Sequence, residues 1–241
     1  MSSLATTVLG KGAKNNASAP AKGAVANNSM VTARVANLRT LAESDPQAAQ
    51  DQTWTWLQEL GERPSADAAQ HDLMALLDLG VPADVDGRSD GVLLRWVDDN
   101  NLSRGGRLLF PLVKGYVAAF GSPWLGKKYD QANGRGTNTL TPAAKRLTRL
   151  IAPRYRMHRN GDVYEGFEMY TRVQESVLVP GSKVLVLDFQ PAELGNPWPV
   201  NLIHDEVVEI AAGVFLGTKT LRVNGGYQQV AWWATKNPVE A

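Results

Sequence analysis

The sequence predicts an α+β fold, predominantly antiparallel β: a β-barrel from about residue 83 to residue 241, preceded by a small α-helical region. Three observations predict it. Apolar residues between Val31 and Leu77 recur at three- and four-residue spacing, the period of a helix with one buried face. Beyond Arg154 the pattern changes to short β-branched and aromatic runs, punctuated by Gly161, Pro180-Gly181, Gly213 and Asn224-Gly225-Gly226. The connections between these runs are mostly too short for parallel crossovers, so successive strands pair antiparallel.

Residues 1–29 are rich in Ala, Asn, Gly and Ser, carry Lys11, Lys14 and Lys22, and contain no acid or aromatic. Such a segment buries too little apolar area to offset its ordering entropy, so it is expected to be a disordered tail. Met30 stands at the composition break, a position for an alternative start. The helical region spans residues 30–82. Val31, Val35, Leu38 and Leu41 mark a first helix, and Ser44-Asp45-Pro46 a stop and restart, with Asp45 as N-cap and Pro46 at the first helical position. The second helix carries Thr53, Trp56, Leu57 and Leu60 on one stripe, with Trp54 beside it, and is expected to end at Gly61. Ser65 caps a third, whose apolar face is Leu73, Leu76 and Leu77, and Gly80-Val81-Pro82 ends it.

In the barrel region the expected strands are Gly91–Val97, Trp124–Tyr129, Gly136–Leu140, Arg154–His158, Val163–Val173, Lys183–Phe189, Leu202–Ala211, Val214–Val223 and Tyr227–Thr235. Helical spacing of Leu109, Leu112, Val113, Tyr116, Val117 and Phe120 predicts a helix over about 106–120, and Thr141-Pro142 opens a short basic helix, Ala143 to Ile151. About nine strands suit a barrel or strongly curved sheet, which also removes exposed edges.

Composition narrows the function classes. Of 241 residues, 44% are hydrophobic and 20% charged, and the net charge of +1 provides no strong field toward nucleic acid or anionic lipid. The absence of cysteine excludes disulfides, thiolate metal sites and cysteine nucleophiles, and fits a reducing compartment. No apolar run approaches the ~18–20 residues of a membrane span. Lys11 and Lys14 follow the short apolar run Leu4–Leu9, the wrong order for a secretory signal, so the expected location is cytoplasmic.

The motif searches exclude more than they assign. Asp84, Asp86 and Asp90 around Gly87 lack the remaining oxygen ligands of a calcium loop. Gly134-Arg135-Gly136 lacks the strand, full glycine spacing and helix start of a dinucleotide fingerprint. Only His71, His158 and His204 are available, in no metal or nucleophile pattern. Arg154-Tyr155-Arg156-Met157-His158-Arg159 alternates aromatic with positive groups, too small a footprint for nucleic acid.

The most informative strand is Leu202–Ala211. By alternation His204, Glu206, Val208 and Ile210 share one face, and Asp205, Val207 and Glu209 the other. The first face turns apolar as it proceeds, so it is expected to point inward and to bring His204 and Glu206 to the mouth of an apolar interior. Asn196-Pro197-Trp198-Pro199 holds Trp198 either over a pocket mouth or as a cover for the core. Glycines beside Trp124 mark a strand–loop–strand corner.

Residues of about 85–235 resemble a group of uncharacterised bacterial proteins common in actinobacteria. The resemblance rests on Trp124-Leu125-Gly126-Lys127-Lys128-Tyr129-Asp130, Gly136-Thr137-Asn138, Val184–Phe189 with Asp188, Asn196-Pro197, Asp205-Glu206 and Ala212-Gly213-Val214-Phe215-Leu216-Gly217. It implies a lipocalin-like, calycin-type barrel and no particular activity. The expectation is binding of a small hydrophobic molecule or lipid in the barrel, contacted by Trp124, Lys127, Tyr129, Asn138, Trp198, His204 and Glu206. No catalytic residue, metal or cofactor is assigned, and neither nucleic acid nor a transmembrane segment is expected. Two alternatives stay open. One is an enzyme using His204 or Glu206 as acid/base for isomerisation or hydration. The other is an interaction scaffold, its protein partner docking on the helical region at Trp54 and Trp56.

Overall fold

The computed structural model describes residues 22–97, 111, 114, 115, 117, 121–223 and 225–239. Helices α1 (Lys22–Ser44), α2 (Pro46–Glu62) and α3 (Ala66–Leu79) come first. A two-residue strand β1 (Val81–Pro82) leads into β2 (Gly87–Trp96), β3 (Trp124–Asp130) and β4 (Arg135–Leu140). After α4 (Pro142–Ile151) follow β5 (His158–Asn160), β6 (Val163–Glu175), β7 (Lys183–Asp188), β8 (Ile203–Ala211), β9 (Val214–Val223) and β10 (Gly226–Lys236). The helix expected at 106–120 lies largely outside the described residues, and α1 begins at Lys22, inside the segment expected to be a tail.

Local chemistry fixes the helix boundaries. Asp45 caps α2 by accepting from Ala48 N at 2.9 Å, with Pro46 in the first turn. Ser65 caps α3 through Ala68 N, and Gly80 N donates to Leu76 O at its end. Gly61 does not end α2, which runs on to Glu62. Its role is close approach, because a Cβ there would lie 2.6 Å from the Leu94 carbonyl oxygen of β2.

Eight strands close an antiparallel, lipocalin-like barrel in the cyclic order β2-β3-β4-β6-β7-β8-β9-β10. Each pairs with its successor, and β10 closes on β2 over Ala231–Lys236. Strand β1 extends the β7 side of β8, and β5 pairs with the start of β6. The expected strand Arg154–His158 is therefore displaced. Residues 154–157 form no strand, because Tyr155 turns to stack on Phe167, with ring centroids 5.1 Å apart.

The meander makes the two barrel ends unequal. Turns at one end are short: residues 131–134, 176–182 and 212–213. The other end carries the β2–β3, β4–β5 and β7–β8 connections, together with the β9–β10 hairpin. Long connections on a rigid scaffold are where binding residues concentrate.

Two apolar cores lie on opposite sides of the barrel wall. The inner one joins Tyr129, Met169, Leu185, Leu187, Phe189, Val207, Phe215 and Trp233. The outer one joins Val184, Val186, Val208, Ile210, Leu216 and Trp232 to Val35, Leu38, Leu57, Leu60, Leu73, Leu76 and Leu77 of the helices. Each fully buried leucine contributes ~1.5–3 kcal/mol. Polar contacts join the same faces. Arg39 Nε donates to Ile210 O at 2.9 Å, Gln50 Nε2 to Asn237 O at 2.7 Å, and Trp232 Nε1 to Gln70 Oε1 at 2.7 Å. Helices α1, α2 and α3 thus cover the outer wall of the barrel and do not cap an end. Trp56 is only 3% exposed in this core with the Arg34 guanidinium over its ring, so it is no open docking surface.

Candidate ligand site at the long-loop end

Alternation places Lys127 and Tyr129 of β3 inside the barrel. An extra residue at Leu125, opposite a single step of β4, breaks the alternation and turns Trp124 inward as well. Gly126 makes this bulge feasible: its φ is +146°, and a Cβ would fall 2.0 Å from Ser89 O. Across the pair, Asn138 of β4 opposes Lys127. Trp124 Nε1 donates to Asn138 Oδ1 at 3.0 Å, and Lys127 Nζ donates to the same oxygen at 3.2 Å.

The anionic partner comes from β8. Asp205, fully buried, accepts from Lys127 Nζ at 3.2 Å and from Lys219 Nζ of β9 at 3.2 Å. Lys127 is 1% exposed, and its Nζ lies 4.7 Å from the ring centroid of Trp233 and 5.2 Å from that of Phe189. Lys219, whose side chain is 30% exposed, links the cluster to solvent. Burial pushes the Lys127 amine down to about 8, the nearby Lys219 charge adds to the effect, and Asp205 opposes it. Burial, followed by the Asp205 charge, pushes the Tyr129 phenol up.

Other buried polar groups share this space. Trp233 Nε1 is buried and has no hydrogen-bond partner among the described residues, and neither amide atom of Gln228 has one. Gln228 faces inward because it opposes Leu221, which opposes Ile203, a residue packed on the inner core. The long-loop half of the interior therefore holds two cations, one carboxylate and unpaired amide and indole donors, ringed by Trp124, Phe189 and Trp233.

His204 and Glu206 are not part of it. Strand β8 has the opposite facing from the one its sequence suggested: Asp205 and Val207 point inward, while His204, Glu206, Val208 and Ile210 point to the outer wall. Glu206 is fully buried there, and accepts from Ser176 Oγ and Val177 N, both at 2.6 Å. It pins the β6–β7 connection against the wall. His204 stacks on Tyr227 outside, with centroids 4.5 Å apart. Trp198, 55% exposed, projects from the β7–β8 connection. Of the seven residues expected to contact a ligand, Trp124, Lys127, Tyr129 and Asn138 converge in the interior, and Trp198, His204 and Glu206 do not.

The residues that sequence reasoning missed are Asp205, Lys219, Trp233, Phe189 and Gln228. One signal was available, the unbroken apolar run Val184-Leu185-Val186-Leu187. A strand buried on both faces cannot be oriented by asking which face is apolar.

Two open depressions lie elsewhere. One of about 290 Å³ at the short-turn end is bordered by Ala83, Val85, Thr171 and Leu185. The other, about 250 Å³, lies beside Lys128, Arg135 and Glu165. Neither includes Lys127 or Asp205. The second is bordered by Tyr129 and Thr137, whose buried hydroxyls have no hydrogen-bond partner among the described residues, but its cations, Lys128 and Arg135, are exposed.

No family model matches the chain, and no curated protein does. Among solved structures, the crystal structure of a protein from Thermomonospora curvata matches at 16% sequence identity and a TM-score of 0.38, over 78% of this chain and 97% of that one.

Proposed function

We propose that the barrel binds a small, mostly apolar molecule with an anionic, hydrogen-bond-accepting head such as a carboxylate, seated at the long-loop end. One observation carries this reading: an aromatic interior holds two lysines against a single aspartate, with Trp233 Nε1 and the Gln228 amide left unpaired among the described residues. Buried polar groups without partners are uncommon, and each calls for a reason. A carboxylate beside Lys127 and Lys219 would balance the charge and accept from these donors. The inner core residues Tyr129, Met169, Leu187 and Phe215 occupy the rest of the lumen, which favours a short ligand.

Native mass spectrometry of the protein purified from its own host tests this. A retained apolar acid is the expected result, and a retained polar or cationic metabolite would contradict it. An enzymatic reading draws on Lys127 rather than on His204 or Glu206. An amine lowered to about 8 is ~10% neutral at pH 7, enough for proton transfer or attack on a carbonyl. A scaffold reading draws on Trp54, which is half-buried, since Trp56 is 3% exposed.

A further inference from the structure

The basic stretch that the ligand reading leaves unused lies on the rim of the long-loop end. Residues 141–161 contain six Lys and Arg and no Asp or Glu, whereas the whole chain is net +1, so all other residues together carry −5. The near-neutral total conceals one strongly positive segment. In the fold this segment is α4, the turn after it and β5. Helix α4 buries Ala144 and Thr148, and presents Lys145, Arg146, Arg149 and Leu150 to solvent. Arg154, Arg156, His158 and Arg159 continue the exposed surface. Arg146, Arg149 and Arg154 have no ion-pair partner among the described residues. Glu165, opposite His158 on β6, is already engaged by Lys128 and Asn160, and the exposed Asp162 follows the segment directly.

Two large apolar side chains accompany these cations. Leu150 is 81% exposed and Trp198 is 55% exposed. Their segments meet on consecutive residues of β6. Tyr155 stacks on Phe167 and its Oη accepts from Phe167 N, while Asn196 Nδ2 donates to Glu168 O at 2.7 Å. The cationic helix and the tryptophan loop are therefore tied to one stretch of rim. Phosphate recognition alone needs only the cations. An exposed leucine and tryptophan beside them match the layered chemistry of a bilayer surface, with charged headgroups outside and acyl chains beneath.

We propose that this rim docks on anionic phospholipid, with Arg146, Arg149 and Arg154 on the headgroups and Leu150 and Trp198 inserted at the acyl boundary. The proposal does not depend on what the barrel holds. Cations near an anionic leaflet each strengthen binding about fivefold, so three arginines without ion-pair partners among the described residues give a bond that salt weakens and neutral lipid does not support.

The test is vesicle flotation of the full chain, with phosphatidylcholine alone and with about 30 mol % phosphatidylserine added. Flotation is expected with the anionic vesicles only, and added salt should reverse it. The exposed double variant Arg146→Glu/Arg149→Glu should lose at least ~10-fold in apparent affinity. Leu150→Ser and Trp198→Ser should each weaken binding severalfold with the salt dependence kept. Circular dichroism confirms folding of each variant. Equal flotation with neutral vesicles, or full flotation of the charge-reversed variant, would overturn the proposal. So would capture of an oligonucleotide, unchanged by Leu150→Ser, by a protein that leaves anionic vesicles behind.

Discussion

Replacing Asp205 with asparagine keeps the side chain's shape and removes the one carboxylate facing Lys127 and Lys219. In the native protein Lys127 has a folded value of about 8 against 10.5 unfolded. Holding its charge at pH 7 therefore costs ~3 kcal/mol, at ~1.4 kcal/mol per pH unit. Without Asp205, burial and Lys219 both act downward unopposed, and the amine becomes neutral at pH 7. The penalty is then capped at ~5 kcal/mol, because a neutral amine has no further charge to desolvate. The increment from Lys127 is thus ~1–2 kcal/mol. Losing the contact to Lys219, whose side chain is 30% exposed, adds ~1 kcal/mol after screening. Asp205→Asn should cost ~2–3 kcal/mol at pH 7. The pH dependence has a definite sign. Since the folded value lies below the unfolded one, the folded protein holds fewer protons between about 8 and 10.5, and the contribution of Lys127 to stability rises with pH across that window. By pH 9 Lys127 is largely neutral in both proteins, so the difference between them should shrink to ~1 kcal/mol. Urea unfolding at pH 7 and pH 9, followed by tryptophan fluorescence, measures both values. An undiminished loss at pH 9, or no loss at pH 7, would refute the reasoning.

Glu206→Ala should destabilise by ~2–4 kcal/mol, because it strands Ser176 Oγ and Val177 N on the outer wall. His204→Ala, which removes a ring stacked on the outer face, should leave ligand binding unchanged in calorimetric titration. Gly213→Val should cost more than ~1 kcal/mol in denaturant unfolding, since Gly213 closes the β8–β9 hairpin at φ +69°.

The sequence made the elements far more legible than their facing. Strand β9 matches its expected limits, Val214–Val223, because a positive-φ glycine stands before it and Asn224-Gly225-Gly226 after it. Helices α2 and α3 were readable from Asp45 and Ser65 because capping is a local interaction. Gly61 misled for the opposite reason. A glycine needed for approach to Leu94 looks identical in sequence to one that ends a helix. Half of the interior cluster was visible as the Trp124–Tyr129 block with Asn138. The carboxylate was not, because the burial of β8 against the helices made its outer face apolar too, and the apolar rule then selected His204 and Glu206 over Asp205. Lys219 escaped notice because only the register of β9 against β8 brings it opposite Asp205.

The central claim is that the Lys127–Asp205–Lys219 cluster recognises the anionic head of an apolar ligand. Titration calorimetry with octanoate and with octanol addresses it directly, using the native protein, Lys127→Met, Lys219→Gln and His204→Ala. Lys127→Met leaves Asp205 paired with Lys219, so the fold should persist. The native protein and His204→Ala should bind octanoate ~10-fold or more tighter than octanol, and that preference should vanish in Lys127→Met and fall in Lys219→Gln. A native protein that binds neither compound, or a Lys127→Met variant that keeps the full preference for the acid, would contradict the claim.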